Sequence, residues 1–182
     1  MLFGRLQSFL SIICLVSGGA SMRSACPGCA NFGSGSVAGV VSFVALMEAS
    51  GIAASGRNPG VLWTHNDGSV GNIWALSTNG ALLASYQVND VDDLEDIAVG
   101  PGPTPGLSYL YSGDIGGNRG GNVVRPDVKI IRLPEPAVDL AWTGEPRSPN
   151  FTGQNSFTLL YPDGSYDAET LLVDPRRHLF PS

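Results

Sequence analysis

The chain has 182 residues, room for one domain of ordinary size, with 43% hydrophobic and only 14% charged residues beside 24 Gly and 13 Pro. That is a composition of strands and turns, and it excludes helical bundles and coiled coils. Sixteen acids against ten bases give a net charge of −6, and the one lysine is Lys129, so no cationic surface exists to neutralise a phosphate backbone and nucleic acid is excluded as a partner.

Every acid lies at or after Glu48, which sets a boundary near residue 47. Ahead of it, Arg5, the apolar run Phe9 to Val16 and the small residues Ser17 to Ala20 follow the order of a secretory signal peptide over residues 1–20, with cleavage after Ala20 or Ala25. The run is too short to span a bilayer, so no stable membrane span is expected and the location is secreted or periplasmic. Residues 21–47 read as a Gly/Ser-rich linker with an apolar lead-in, and they contain Cys26-Pro-Gly-Cys29. Zinc would need a second ligand pair, and His65 and His178 are far off in sequence and unpaired; a local disulfide or plain tail cysteines is the reading.

From residue 48 to the C-terminus the pattern is all-β: short β-branched and aromatic runs separated by turn residues, with no sustained helical period. The strands expected are Ser50 to Ser55, Val61 to His65, Asn72 to Ser77, Ala81 to Val88, Ile97 to Gly100, Ser108 to Ser112, Val128 to Leu133, Ser156 to Leu160 and Thr170 to Asp174. Thr78-Asn79-Gly80-Ala81, between two apolar runs, is the clearest hairpin signal. Asn150-Phe-Thr152 has the form of a glycosylation acceptor.

The chain also repeats itself. Glu48 to Ser55, Glu95 to Gly100 and Glu169 to Asp174 each place an acid ahead of a short apolar strand, and Asp67 and Asp114 fall at the same offset from Glu48 and Glu95. Units of this spacing are near the size of a four-stranded propeller blade, with a long insertion in the second.

In these residues the chain resembles a mostly uncharacterised family of secreted bacterial-type β-propeller proteins, similar in architecture to the calcium-dependent phosphotriesterase and lactonase propellers. The pieces that carry the likeness are Ser50 to Asp67, Leu94 to Pro103, Tyr109 to Asn118 and Tyr161 to Pro175. It departs from the family pattern at Leu94, where members carry Trp, at Gly117, where they carry Asp, and at Tyr166, where they carry a polar ring residue such as His. The resemblance implies an incomplete propeller of about two to two and a half blades of antiparallel four-stranded sheets over 48–182, with further blades missing. Such a piece would be inactive alone and prone to self-association through exposed edges.

Strands that begin at a propeller channel point their first side chains into it. Glu48, Glu95 and Glu169, with Asn66 or Asp67 and with Asp114 from the following loops, would then form the all-oxygen shell that Ca²⁺ prefers, and His65 is the candidate base. Two functions follow from the resemblance: a calcium-dependent hydrolase acting on a small-molecule ester or phosphoester, and a non-catalytic propeller binding module. Other chemistries lack their motifs. Asp90 to Asp96 has no EF-hand glycine or terminal glutamate, Gly113 to Gly121 is not a P-loop, and no G-x-S-x-G elbow is present.

Overall fold

The structure is a computed structural model that describes residues 34–119, 122–123, 125–142 and 151–175. The signal-peptide segment, Cys26, Cys29, Asn150 and His178 lie outside the described residues.

The first sheet is a meander of β1 (Ala49–Ala54), β2 (Val61–Asn66), β3 (Asn72–Ser77) and β4 (Leu82–Gln87), each strand antiparallel to the next. The Thr78-Asn-Gly turn closes β3 on β4 as its sequence predicts. Gly80 takes φ +89°, a left-handed value that costs glycine little, and Ser77 N donates to Ala81 O at 2.9 Å.

The second sheet has the order β10-β9-β6-β5, built from β5 (Leu94–Pro101), β6 (Ser108–Asp114), β9 (Asp127–Pro134) and β10 (Asn155–Leu160), again antiparallel throughout. A two-stranded ribbon, β7 (Asn118–Arg119) with β8 (Asn122–Val123), lies in the connection between β6 and β9. Nothing in the local pattern announces it, because two-residue strands are too short to show a period.

The alternation along the strands explains why the sheets pack. Val61, Trp63, Ile73, Ala75, Leu83 and Tyr86 of the first sheet and Ile97, Leu110, Ile131 and Leu133 of the second are buried in one cluster. Each such aliphatic side chain, fully buried, is worth about 1.5–3 kcal/mol. The ring of Tyr86 meets Trp63 edge-on at 5.7 Å and stacks on Phe151 at 4.7 Å. Both β1 and β2 pack against β5, and that contact places the start of β5 beside the end of β2. β10 forms the sheet edge and is the most exposed strand of its sheet, with Phe157 and Leu159 still half-covered.

The all-β expectation agrees with this architecture, and no helix among the described residues is long and apolar enough to cross a membrane. One expected strand is corrected. Thr170 to Asp174 forms no strand; Leu171 N donates to the Asp96 side chain rather than to a neighbouring backbone, and a strand exists only where a partner backbone takes its hydrogen bonds. Residues 34–47, where the sequence predicts no strand, form none: Phe43 rests edge-on against Trp74 at 5.4 Å and Ala45 O accepts from Asn66 Nδ2.

Candidate metal centre

β5 begins with an irregularity. Its pairing with β6 shifts register between Leu94 and Asp96, and a bulge of this kind turns the intervening side chain out of the normal alternation. That side chain is Glu95. The loop after β2 is stitched to the same point, since Gly68 N donates to Leu94 O at 3.2 Å and Leu94 N to Gly68 O at 3.0 Å, which brings Asp67 to Glu95. Asp93, just before β5, has its backbone fixed: its N–H donates to Asp114 Oδ1 at 2.7 Å and its carbonyl accepts from Gly116 N at 3.3 Å.

From the C-terminal side, residues 167–171 reach the same place. Gly117 N donates to Asp167 Oδ1 at 2.7 Å, Ala168 N to Ile115 O at 3.3 Å and Leu171 N to Asp96 Oδ2 at 2.8 Å. Two carboxylate triads result, Asp67–Asp93–Glu95 and Glu95–Asp167–Glu169, in each of which one oxygen per residue lies within 4.8 Å of the others. Glu95 belongs to both. It is only 7% exposed, while Asp67, Asp167 and Glu169 face solvent, so the group is dry at its base and open above.

Burial pushes the Glu95 carboxyl up to about 8, and the charge of Asp67, the hydrogen bond and charge of Glu169 and the charge of Asp93 add to the rise. Its hydrogen-bond partner is another carboxyl, which demands a shared proton. A divalent cation removes both costs, because it neutralises the repulsion and supplies the burial's missing counter-charge. The donors are all oxygen, the set that hard cations such as Ca²⁺ and Mg²⁺ take. Gly116 completes the cradle: a Cβ there would fall 2.2 Å from Glu95 Oε1 and 2.5 Å from Asp93 Oδ2, so only glycine lets the loop lie over the carboxylates.

Of the residues named from the sequence, the fold brings together Glu95, Asp67 and Glu169. Glu48 joins neither triad; it precedes the register shift in β1, its carboxylate is exposed, and its backbone pairs with Asn66 and Asp67. Asp114 is fully buried but turned elsewhere. Its Oδ1 binds Arg125 Nη1 at 2.8 Å and also accepts from Asp92 N and Asp93 N, which makes it a brace behind the group rather than a member of it. Arg125 also donates to Gly116 O at 2.9 Å, and Lys129 lies 3.2 Å from Asp90 Oδ2 and 3.6 Å from Asp92 Oδ2.

His65 is fully buried, with Nε2 accepting from Gly51 N at 3.2 Å and Nδ1 donating to Asn66 O at 2.7 Å. Burial lowers its pKa, and both ring nitrogens are occupied, so it ties β1 to β2 and is not offered to a substrate as a base. Sequence reasoning missed Asp93 and Asp167. The acidic run Asp90 to Asp96 was the available signal for the first; Asp167 had none beyond its closeness to Glu169. Also missed was the buried Glu135, whose carboxylate accepts from Trp63 Nε1 at 2.8 Å, Arg57 N at 3.0 Å and Ser55 Oγ, joining the two sheets far along the chain from the metal candidates.

Compared with protein-family models, curated proteins and solved structures, the chain matches none of them.

Proposed function

We propose that the protein is a secreted, propeller-type module organised around a divalent cation of the calcium class, held by Glu95 with Asp67, Asp93, Asp167 and Glu169. The observation that carries this reading is the buried Glu95 shared by two carboxylate triads. The meander order of both sheets and the packing of β1 and β2 on β5 support reading the sheets as successive blades, and the apolar run behind Arg5 supports export.

When bound, such a cation supplies a Lewis acid that polarises a phosphoryl or ester oxygen and lowers the pKa of its water, the chemistry of a calcium-dependent phosphoesterase or lactonase. The chain's own residues hold the carboxylate ring, keep water from its base at Glu95 and orient it through Asp114 and Arg125. A specific observation favours the second reading, a non-catalytic binding module: His65 has both nitrogens engaged, so the base named from the sequence is unavailable.

Calorimetric titration of the EDTA-treated chain with CaCl₂ tests the cation, and a phosphotriester and a lactone assayed with and without Ca²⁺ test the chemistry. Binding that is lost in Glu95→Gln is expected. Calcium-dependent turnover assigns the hydrolase, binding without turnover assigns the module, and no binding overturns both.

A further inference from the structure

Residues 161–175 lie outside both sheets yet run across the start of β5 and the end of β6. Three hydrogen bonds fasten them there: Gly117 N to Asp167, Ala168 N to Ile115 O and Leu171 N to Asp96. Val173 follows against Gly100, and ahead of the fastened stretch Tyr161 and Tyr166 pack edge-on at 4.9 Å. The same stretch delivers Asp167 and Glu169 to Glu95, a carboxyl nine-tenths buried among acids, with a carboxyl as its hydrogen-bond partner.

Docking therefore sets the solvent-facing Asp167 and Glu169 carboxylates against the buried Glu95. An ion held between Glu95 and these two side chains would bond to the strap and to β5 at once, adding to the three hydrogen bonds an attraction that its removal takes away. We propose that residues 161–175 are a strap whose docking is coupled to the cation, so that the ion bound at Glu95 clasps the C-terminal stretch onto β5 and its loss releases it. This inference rests on the cation centre argued above and adds a conformational consequence to it.

Hydrogen–deuterium exchange on the full chain, in EDTA and then in saturating CaCl₂, reads the strap directly. The amides of Ala168 and Leu171 are expected to exchange about tenfold more slowly in CaCl₂, while those of β3 do not change. Calorimetry on the same samples separates the two readings. Calcium binding with unchanged strap exchange overturns the strap and leaves the centre standing, whereas absence of calcium binding overturns the centre and the strap with it.

A second test runs in the opposite direction. Leu171→Pro removes the donor to Asp96 in a stretch that belongs to neither sheet. Because coupling is reciprocal, its calcium affinity is expected to fall by about three- to tenfold, with melting in EDTA unchanged. Parent-like affinity in this variant, with the strap amides exchanging fast, overturns the coupling.

Discussion

The Asp96 carboxylate accepts the Leu171 backbone N–H at 2.8 Å, and by this bond Glu169 is brought against Glu95. Glu95 and Asp96 are adjacent in the chain and divide the work because a bulge separates their directions. Glu95 turns into the carboxylate group, while Asp96 uses one oxygen to cap Ile97 N and the other to hold the incoming segment.

The raised pKa of Glu95 sets the pH dependence of the metal-free protein. Its carboxyl titrates at about 8 in the folded chain against 4.5 ordinarily, so the folded state binds the proton more tightly. The stability this contributes is fully present below 4.5 and is lost as the pH rises through about 8. In EDTA, the melting temperature of the parent should fall over that window relative to Glu95→Gln, whose neutral side chain has nothing to titrate. Parallel profiles for the two proteins would sink this account; titration of His65 is common to both and cancels in the difference.

Gly116→Ala tests the cradle. The added Cβ meets the ends of the Glu95 and Asp93 side chains, which can swing aside, so the fold should survive and the geometry of the group should not. Calcium affinity is expected to drop by at least about tenfold, with the melting temperature in EDTA close to the parent's. Equal calorimetric affinity in the two proteins would show that the loop does not cover the site.

Asp114→Asn removes the charge that pairs with the buried Arg125 at 2.8 Å and weakens the acceptor of Asp92 N and Asp93 N. Breaking one side of a buried pair leaves Arg125 with the longer contact to Asp92 at 3.8 Å, and a loss of about 3 kcal/mol in urea-denaturation stability is expected. A loss below about 1 kcal/mol, the range of an exposed pair, would mean that water reaches Arg125.

The hydrogen bonds of His65 specify a neutral ring protonated on Nδ1, since Nε2 must accept from Gly51 N. Nitrogen-15 NMR at neutral pH should show this tautomer. Because burial lowers the folded pKa below 6.5, stability due to His65 is present above that value and declines as the pH falls beneath it. An Nε2-protonated ring would contradict the assignment.

Secondary structure was legible in the chain because its signals are local. The short apolar and aromatic runs of Val61 to Asn66 or Asn72 to Ser77 and the turn at Asn79-Gly80 need no distant information, and eight of the nine expected strands lie where strands form. The ninth, Thr170 to Asp174, has the right pattern, but a pattern cannot supply the partner backbone that makes a strand.

For the carboxylate group, the recurrence of acids ahead of apolar runs pointed to Glu95 and Glu169, and the loop offset to Asp67. Glu48 and Asp114 share those repeat positions and still fall outside the group. The backbone bonds of Glu48 to Asn66 and Asp67 and the pairing of Asp114 with Arg125 hold them where they stand, and neither can be read from the residues nearby in sequence. Asp93 and Asp167 enter for the complementary reason. The Gly68–Leu94 bridge and the hydrogen bonds of Gly117 and Asp96 bring distant loops onto one bulge. Residue type and spacing thus determined which carboxylates were available, and tertiary hydrogen bonding, acting between segments remote in the chain, decided which of them meet.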